Sequence, residues 1–117
     1  MKDDRLYLRH ILECLDAIGA YTTRGPEEFF NDRKTRKATF RELQELAEST
    51  QRLSSTLRDR HPEIPWTDIG GFRNVLVHDY LGLSLTRIWN IIQRDLPALR
   101  TAVEAMLREL DSAGQQP

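Results

Sequence analysis

An all-α fold, an up-and-down bundle of four to five helices, is what the sequence predicts, on three observations. Apolar residues recur at three- and four-residue spacing along nearly the whole chain. Alternating, strand-like patterns are short and lie between helical ones. The connections are short and punctuated by Gly and Pro, which favours antiparallel neighbours. The chain has 117 residues, the size of one domain. Its 39% hydrophobic and 30% charged residues fit a globular chain and not a wholly disordered one.

The first helix is expected over residues 3 to 20, with Leu8, Ile11, Leu12, Leu15 and Ile18 on one stripe. Asp3 and Asp4 suit its start, where the helix dipole favours negative charge. Gly25-Pro26 breaks the chain, and Pro26 opens a short turn through Phe29 and Phe30. A long helix follows, roughly 32 to 59, with Asn31 or Asp32 as its cap. Leu43, Leu46, Ala47, Thr50, Leu53 and Leu57 give it a core-facing side, and His61-Pro62 ends it. Pro65 opens the next helix, which runs out near Leu81-Gly82. Ser84 caps another, with Leu85, Ile88, Trp89 and Ile92 on one face. Pro97 starts the last, with Leu99, Val103, Met106, Leu107 and Leu110 inward. A single domain over residues 1–111 and a frayed tail over 112–117 are expected, with no internal repeat and no interdomain linker.

The net charge of −1 gives no global basic field, so nucleic-acid binding would need a local patch. The single cysteine, Cys14, excludes an intrachain disulfide and a cysteine-rich zinc site, and its position reads as core filling. No apolar run approaches membrane-spanning length. The start MKDDRLYL lacks the apolar core of a signal peptide. A cytoplasmic protein without a membrane partner is expected.

The stretch RNVLVHDY, residues 73–80, concentrates the reactive side chains. Asn74 and His78 are four apart and share a helix face, where an Asn can hydrogen-bond an imidazole and fix its tautomer. Arg73 and Tyr80, seven apart, share another. Arg73 and His78 are five apart and point ~140° away from each other on a regular helix. They converge on one substrate only if the helix is irregular or if two chains pack this helix against its symmetry mate. Histidine titrates near neutrality and suits general acid or base work. Arginine stays charged and makes bidentate contacts to phosphate. Such a pair, with no carboxylate cluster and no metal ligand set, suits metal-free phosphoryl chemistry. RNA supplies its own nucleophile, the ribose 2′-hydroxyl, and Arg would stabilise charge on the phosphorane-like transition state. The same three residue types on a helix are also commonly structural.

The pattern R-x-x-x-x-H-x-Y, as Arg73, His78 and Tyr80, resembles the signature of HEPN-domain ribonuclease toxins of the HepT-like family. The likeness extends over HPEIPWTDIGGFRNVLVHDYLGLSLTRIWNIIQRDLPAL, residues 61–99, and more loosely over the first helix and residues 46–49. Where family members often carry Gly-Glu-Ala, this chain has Ala47-Glu48-Ser49. The resemblance implies an all-α HEPN bundle and a homodimer or a higher oligomer built from it, with the motif facing itself across the two-fold axis. It implies metal-independent endoribonuclease cleavage that leaves a 2′,3′-cyclic phosphate and needs no cofactor. Arg73 and His78 would be catalytic and Asn74 supporting. The chain would be the toxin of a toxin–antitoxin pair. Its antitoxin would be a nucleotidyltransferase of the MNT type that attaches AMP to Tyr80. The adduct is bulky and anionic and would oppose an RNA phosphate.

Other features carry two readings each. Asp79 neighbours the motif and is expected at its periphery, where it can hold an arginine. Tyr80 can equally be packing at a helix end, and His78 a satisfied structural histidine. His10 and His61 read as surface or helix-end residues. Gly70 and Gly71 lie early in a helix, at up to ~1 kcal/mol each relative to Ala. Close approach of a second helix would offset that, and a plain kink is the other reading. The run DRKTRK, residues 32–37, is either a solvated helix start, a phosphate-backbone contact for RNA, or a surface for an acidic partner. Trp89 and Phe40 read as core or interface anchors. An RNA-cleaving toxin, a non-catalytic binding module that pairs with a nucleotidyltransferase, and an oligomerisation domain without chemistry are the competing functions.

Overall fold

The computed structural model describes residues 3–114, apart from the side chains at positions 80, 113 and 114. All regular structure among the described residues is helical. The α-helices are α1 (Asp4–Tyr21), α2 (Pro26–Asn31), α3 (Arg33–Arg52), α4 (Ser55–Asp59), α5 (Trp66–His78), α6 (Leu85–Asn90) and α7 (Leu96–Gly114). A single 3-10 turn, Tyr80–Gly82, follows α5, and a wider π-turn, Ile91–Asp95, joins α6 to α7.

Local chemistry sets most boundaries. The Asp3 side chain accepts from the Arg5 amide, Asp32 from Thr35 and Ser84 from Arg87, each a side-chain cap on an otherwise unpaired amide. Pro26 stands at the first position of α2, where its missing N–H costs nothing, and Gly25 before it has a φ of 93°. Four boundaries differ from expectation, one being the end of α5 at His78 and not near Leu81-Gly82. The long helix breaks at Leu53-Ser54, both extended. The Ser54 amide and hydroxyl donate to the Asp4 carboxylate, at 2.8 and 2.7 Å. The Ser54 oxygen also accepts from the Leu57 amide and so starts α4. A tie to the first turn of α1, fifty residues earlier in the chain, thus replaces continued helix. Pro97 does not begin a separate helix after a loop, because the chain is helical from Leu85 to Gly114. A proline ring clashes with the carbonyl four residues back, and the wider turn just before it, where the Leu96 amide reaches the Ile91 carbonyl, accommodates that. The last helix continues to Gly114 into the segment expected to fray, and residues 115–117 lie outside the described residues.

The antiparallel pair α1 and α3 forms the centre, with α7 against α1 and α5 against α3. Leu8, Ile11, Cys14 and Ile18 from α1 meet Leu43 and Leu46 from α3, with Val103 and Met106 from α7 closing the core. Burial of each such side chain contributes about 1.5–3 kcal/mol. Cys14 is buried as expected, and burial pushes its thiol up to about 12, so it remains a neutral core residue. Phe29 is fully buried, with the rings of Phe40 and Trp89 at 6.2 and 5.5 Å. Thr39 and Thr50 are buried on α3 and return their hydroxyls to carbonyls of their own helix. No described helix is long and apolar enough to cross a membrane.

Candidate active site

The start of α5 is fastened firmly. The Trp66 indole N–H donates to the carbonyls of Arg58 and His61, at 3.1 and 3.0 Å. The Gln51 amide of α3 donates to the Trp66 carbonyl at 3.0 Å. Gly70 makes room for that amide, since a Cβ there would stand 3.0 Å from Gln51 Oε1. The close approach expected at the glycine pair is therefore made, for Gly70, by α3 of the same chain. Gly71 meets nothing within 4 Å.

The motif straddles the end of this helix. Arg73 to His78 are helical, Asp79 caps, and Tyr80 begins the 3-10 turn. The Tyr80 side chain lies outside the described residues. Arg73 reaches back across α3. Its Nε and Nη2 donate to Glu48 Oε1, at 3.3 and 3.2 Å, and its Nη1 donates to Asn74 Oδ1 at 3.2 Å. Among the described residues Asn74 thus engages Arg73 and not His78, because a guanidinium beside it is the stronger donor. A hydrogen bond from Gln44, and then the Arg73 guanidinium, hold the Glu48 carboxyl below its usual range against the opposing effect of burial. The pair is therefore complete at neutral pH and is lost as pH falls through the lowered value. The Arg73 side chain keeps 35% of its surface open, enough to meet an anion.

His78 is exposed on another face. Thr67, Gly71, Asn74, Val75 and His78 fall on one stripe at helical spacing, and all are exposed. Because α5 is unbroken from Trp66 to His78, the ~140° between Arg73 and His78 is not closed within one chain. Asp79, expected near an arginine, instead lays its carboxylate over Gly82, 3.1 Å from where a Cβ would stand. His10 pairs with Glu45, and His61 lies between Glu63 and Glu109, both away from the motif.

Glu48 is the site residue that sequence reasoning passed over. Its signal is a carboxylate four residues after Gln44, on the α3 face opposite the buried stripe. That pattern does not say which helix lies beside it. Two clefts adjoin α5. One is apolar, about 440 Å³, lined by Leu46, Ile64, Ile69, Phe72, Leu96 and Leu99 among others, and holds none of the motif's polar side chains. The other is open and polar, about 980 Å³, lined by Glu48, Gln51, Arg52, Thr67, Gly70, Gly71, Arg73 and Asn74. The polar one adjoins the chemistry. Among the described residues no group of three or more His, Cys, Asp or Glu is arranged to hold a metal ion.

An all-α bundle whose α5 carries the arginine and histidine of R-x-x-x-x-H-x-Y, with the arginine docked on the neighbouring helix, is a HEPN-type helical domain. The sequence profile of the family described as Ribonuclease HepT-like matches residues 11–106, and the chain belongs to that family. A provisionally named RNase of Caldanaerobacter subterraneus subsp. tengcongensis is 34% identical over 110 residues, covering 93% of this chain and 98% of that protein. "Probable ribonuclease HepT" of Thermococcus cleftensis is 31% identical over 101 residues, covering 86% of this chain and 92% of that one. A Methanocaldococcus jannaschii protein, whose name joins a gamma-glutamylcyclotransferase to a provisional RNase, is 30% identical over 111 residues. That alignment takes in 94% of this chain but only 50% of the larger protein, so the chain spans half the length of that relative. No solved structure matches the chain.

Proposed function

We propose that this ribonuclease-family chain is a metal-independent endoribonuclease that works as a homodimer, cutting RNA by transesterification at a site composed from two copies of α5. What carries the reading is the exposed stripe of Thr67, Gly71, Asn74, Val75 and His78, which lies beside an arginine already oriented by Glu48. Across a two-fold axis, His78 of one copy faces Arg73 of the other. His78 takes the proton of the ribose 2′-hydroxyl as that oxygen attacks phosphorus. The bond from phosphorus to the 5′-oxygen breaks, and a protonated group, the imidazolium of the second copy, returns a proton to the leaving oxygen. The products are a 2′,3′-cyclic phosphate and a 5′-hydroxyl. Arg73 stabilises the charge gathered on the phosphorus oxygens. The reading includes a cytoplasmic toxin–antitoxin role, with an MNT-type nucleotidyltransferase as partner. That partner silences the site when the Tyr80 phenol oxygen attacks the α-phosphorus of a nucleoside triphosphate and pyrophosphate leaves.

The deciding experiment is RNA cleavage in EDTA by protein produced without a partner and shown by intact mass to be unmodified. Cyclic-phosphate ends are expected. No cleavage would move the motif to a partner surface and the chain to a non-catalytic binding module.

Two variants probe the finer claims. Gly71→Leu is expected to keep helicity and thermal stability, since nothing lies within 4 Å of that position. It should convert a dimer to a monomer in sedimentation and abolish cleavage. An unchanged dimer would place the interface elsewhere. Tyr80→Phe is expected to stay active when coexpressed with the transferase and to gain no AMP by mass spectrometry. An AMP adduct on the Phe variant at parental stoichiometry would remove Tyr80 as acceptor.

A further inference from the structure

The basic run at the start of α3 divides by function. Asp32 is a cap, and Arg36 donates to the Phe30 carbonyl at 2.7 Å, tying α2 to α3. Arg33, Lys34 and Lys37 are exposed, as is Arg41 further along, and residues 33–41 contain no acidic side chain. Relative to Glu48, the side chains of Gln44, Arg41, Lys37 and Lys34 all lie within ~40° around the helix axis, as does Arg52 on the far side. They form one ridge, directly opposite the buried Thr39, Leu43, Leu46 and Thr50. Contacts along the ridge hold it in line. Gln44 donates to Glu48 at 3.2 Å, and Arg41 pairs with Glu45 at 3.0 Å while 64% of the Arg41 side chain stays exposed. From Glu48 to Lys34 the ridge runs about 21 Å at 1.5 Å per residue. Its Glu48 end lines the polar cleft that holds Arg73.

We infer that this α3 ridge is the path of the RNA strand into the cleft, with Lys34, Lys37 and Arg41 holding successive backbone phosphates and delivering one to Arg73. The inference rests on the ribonuclease reading and deepens it. A chain with a net charge of −1 repels a polyanion weakly at long range, so a local row of cations must supply the attraction. A row in line with the cleft also orients the strand, which scattered cations do not. Contacts of this kind read phosphates and not bases, so the ridge confers grip along a single strand without sequence preference.

The test uses the full chain and a 2′-O-methyl RNA of about twelve nucleotides. That RNA lacks the nucleophilic hydroxyl, so binding is measured apart from cleavage. The variant Lys34→Gln/Lys37→Gln is expected to bind about tenfold more weakly at moderate salt. The salt dependence of log affinity should fall by about 1.4, two phosphate contacts at about 0.7 each. Arg94→Gln/Arg108→Gln, with the same charge change on the π-turn and α7, is expected to change affinity less than about twofold, as surface contacts off the path should. Equal losses in both variants, or none in the first, overturn the ridge as the path, and a lysine-row surface for an acidic protein then takes its place. Cleavage of ordinary RNA, followed in parallel, separates the two claims. Lost affinity in a protein that cuts nothing keeps the ridge and sinks the nuclease. Active cutting with unchanged affinity does the reverse.

Discussion

His78→Ala is expected to lose RNA cleavage by about two to four orders of magnitude, the range that a positioned general acid or base contributes. The loss should appear in kcat, because an exposed imidazole at the end of a helix adds little to ground-state binding of a polyanion. The fold should be unaffected. His78 is exposed and lies outside the buried core, and surface substitutions of that kind stay within about 0.5 kcal/mol. A variant that melts with the parent and yet no longer cuts RNA isolates chemistry from stability. Retained cleavage in the His78→Ala protein would remove the imidazole from the mechanism and leave Arg73 without its acid–base partner.

Arg73→Ala is the second large effect, an expected loss of about 10²–10³ in kcat, as for removal of one donor to transition-state charge. Arg73→Lys should recover little of it. An ammonium is a point charge and cannot hold Glu48, Asn74 and a phosphate through one planar fork. Glu48→Gln separates orientation from charge. The amide still accepts a hydrogen bond but no longer anchors the guanidinium electrostatically, and about tenfold loss is expected, smaller than for Arg73 itself. In the parent, the Arg73–Glu48 pair persists above the lowered pKa of Glu48 and fades as pH falls through it. An acid limb in the rate profile that vanishes in Glu48→Gln would report that pair. Full activity of Arg73→Ala would place the phosphate elsewhere.

Much of this is legible in the sequence. The caps at Asp3, Asp32 and Ser84 and the opening of α2 at Pro26 are local events, decided within a turn of the residue concerned. The motif itself was legible because five polar or reactive side chains share eight positions. What escaped was set by contacts far apart in sequence. The Leu53-Ser54 break depends on Asp4, fifty residues away. The wide turn before Pro97 reflects a backbone accommodation that periodicity does not register. Asn74 turned to Arg73 and not to His78 because Glu48, twenty-five residues upstream, had already fixed the guanidinium beside it.

The seating of α5 has a dynamic consequence. It is held chiefly along α3, and of its thirteen residues only Leu76 is buried, with Trp66, Ile69 and Phe72 half-buried against the core. A helix with one buried residue and an exposed flank is expected to open at lower cost than the α1–α3 core, which carries most of the buried side chains. Among the helices longer than two turns, its backbone protons are therefore expected to trade first with solvent deuterium, and that helix carries Arg73 and His78. Whatever covers the free flank raises the cost of that opening, so occupancy of α5 can be followed by exchange alone, without any assay of cutting.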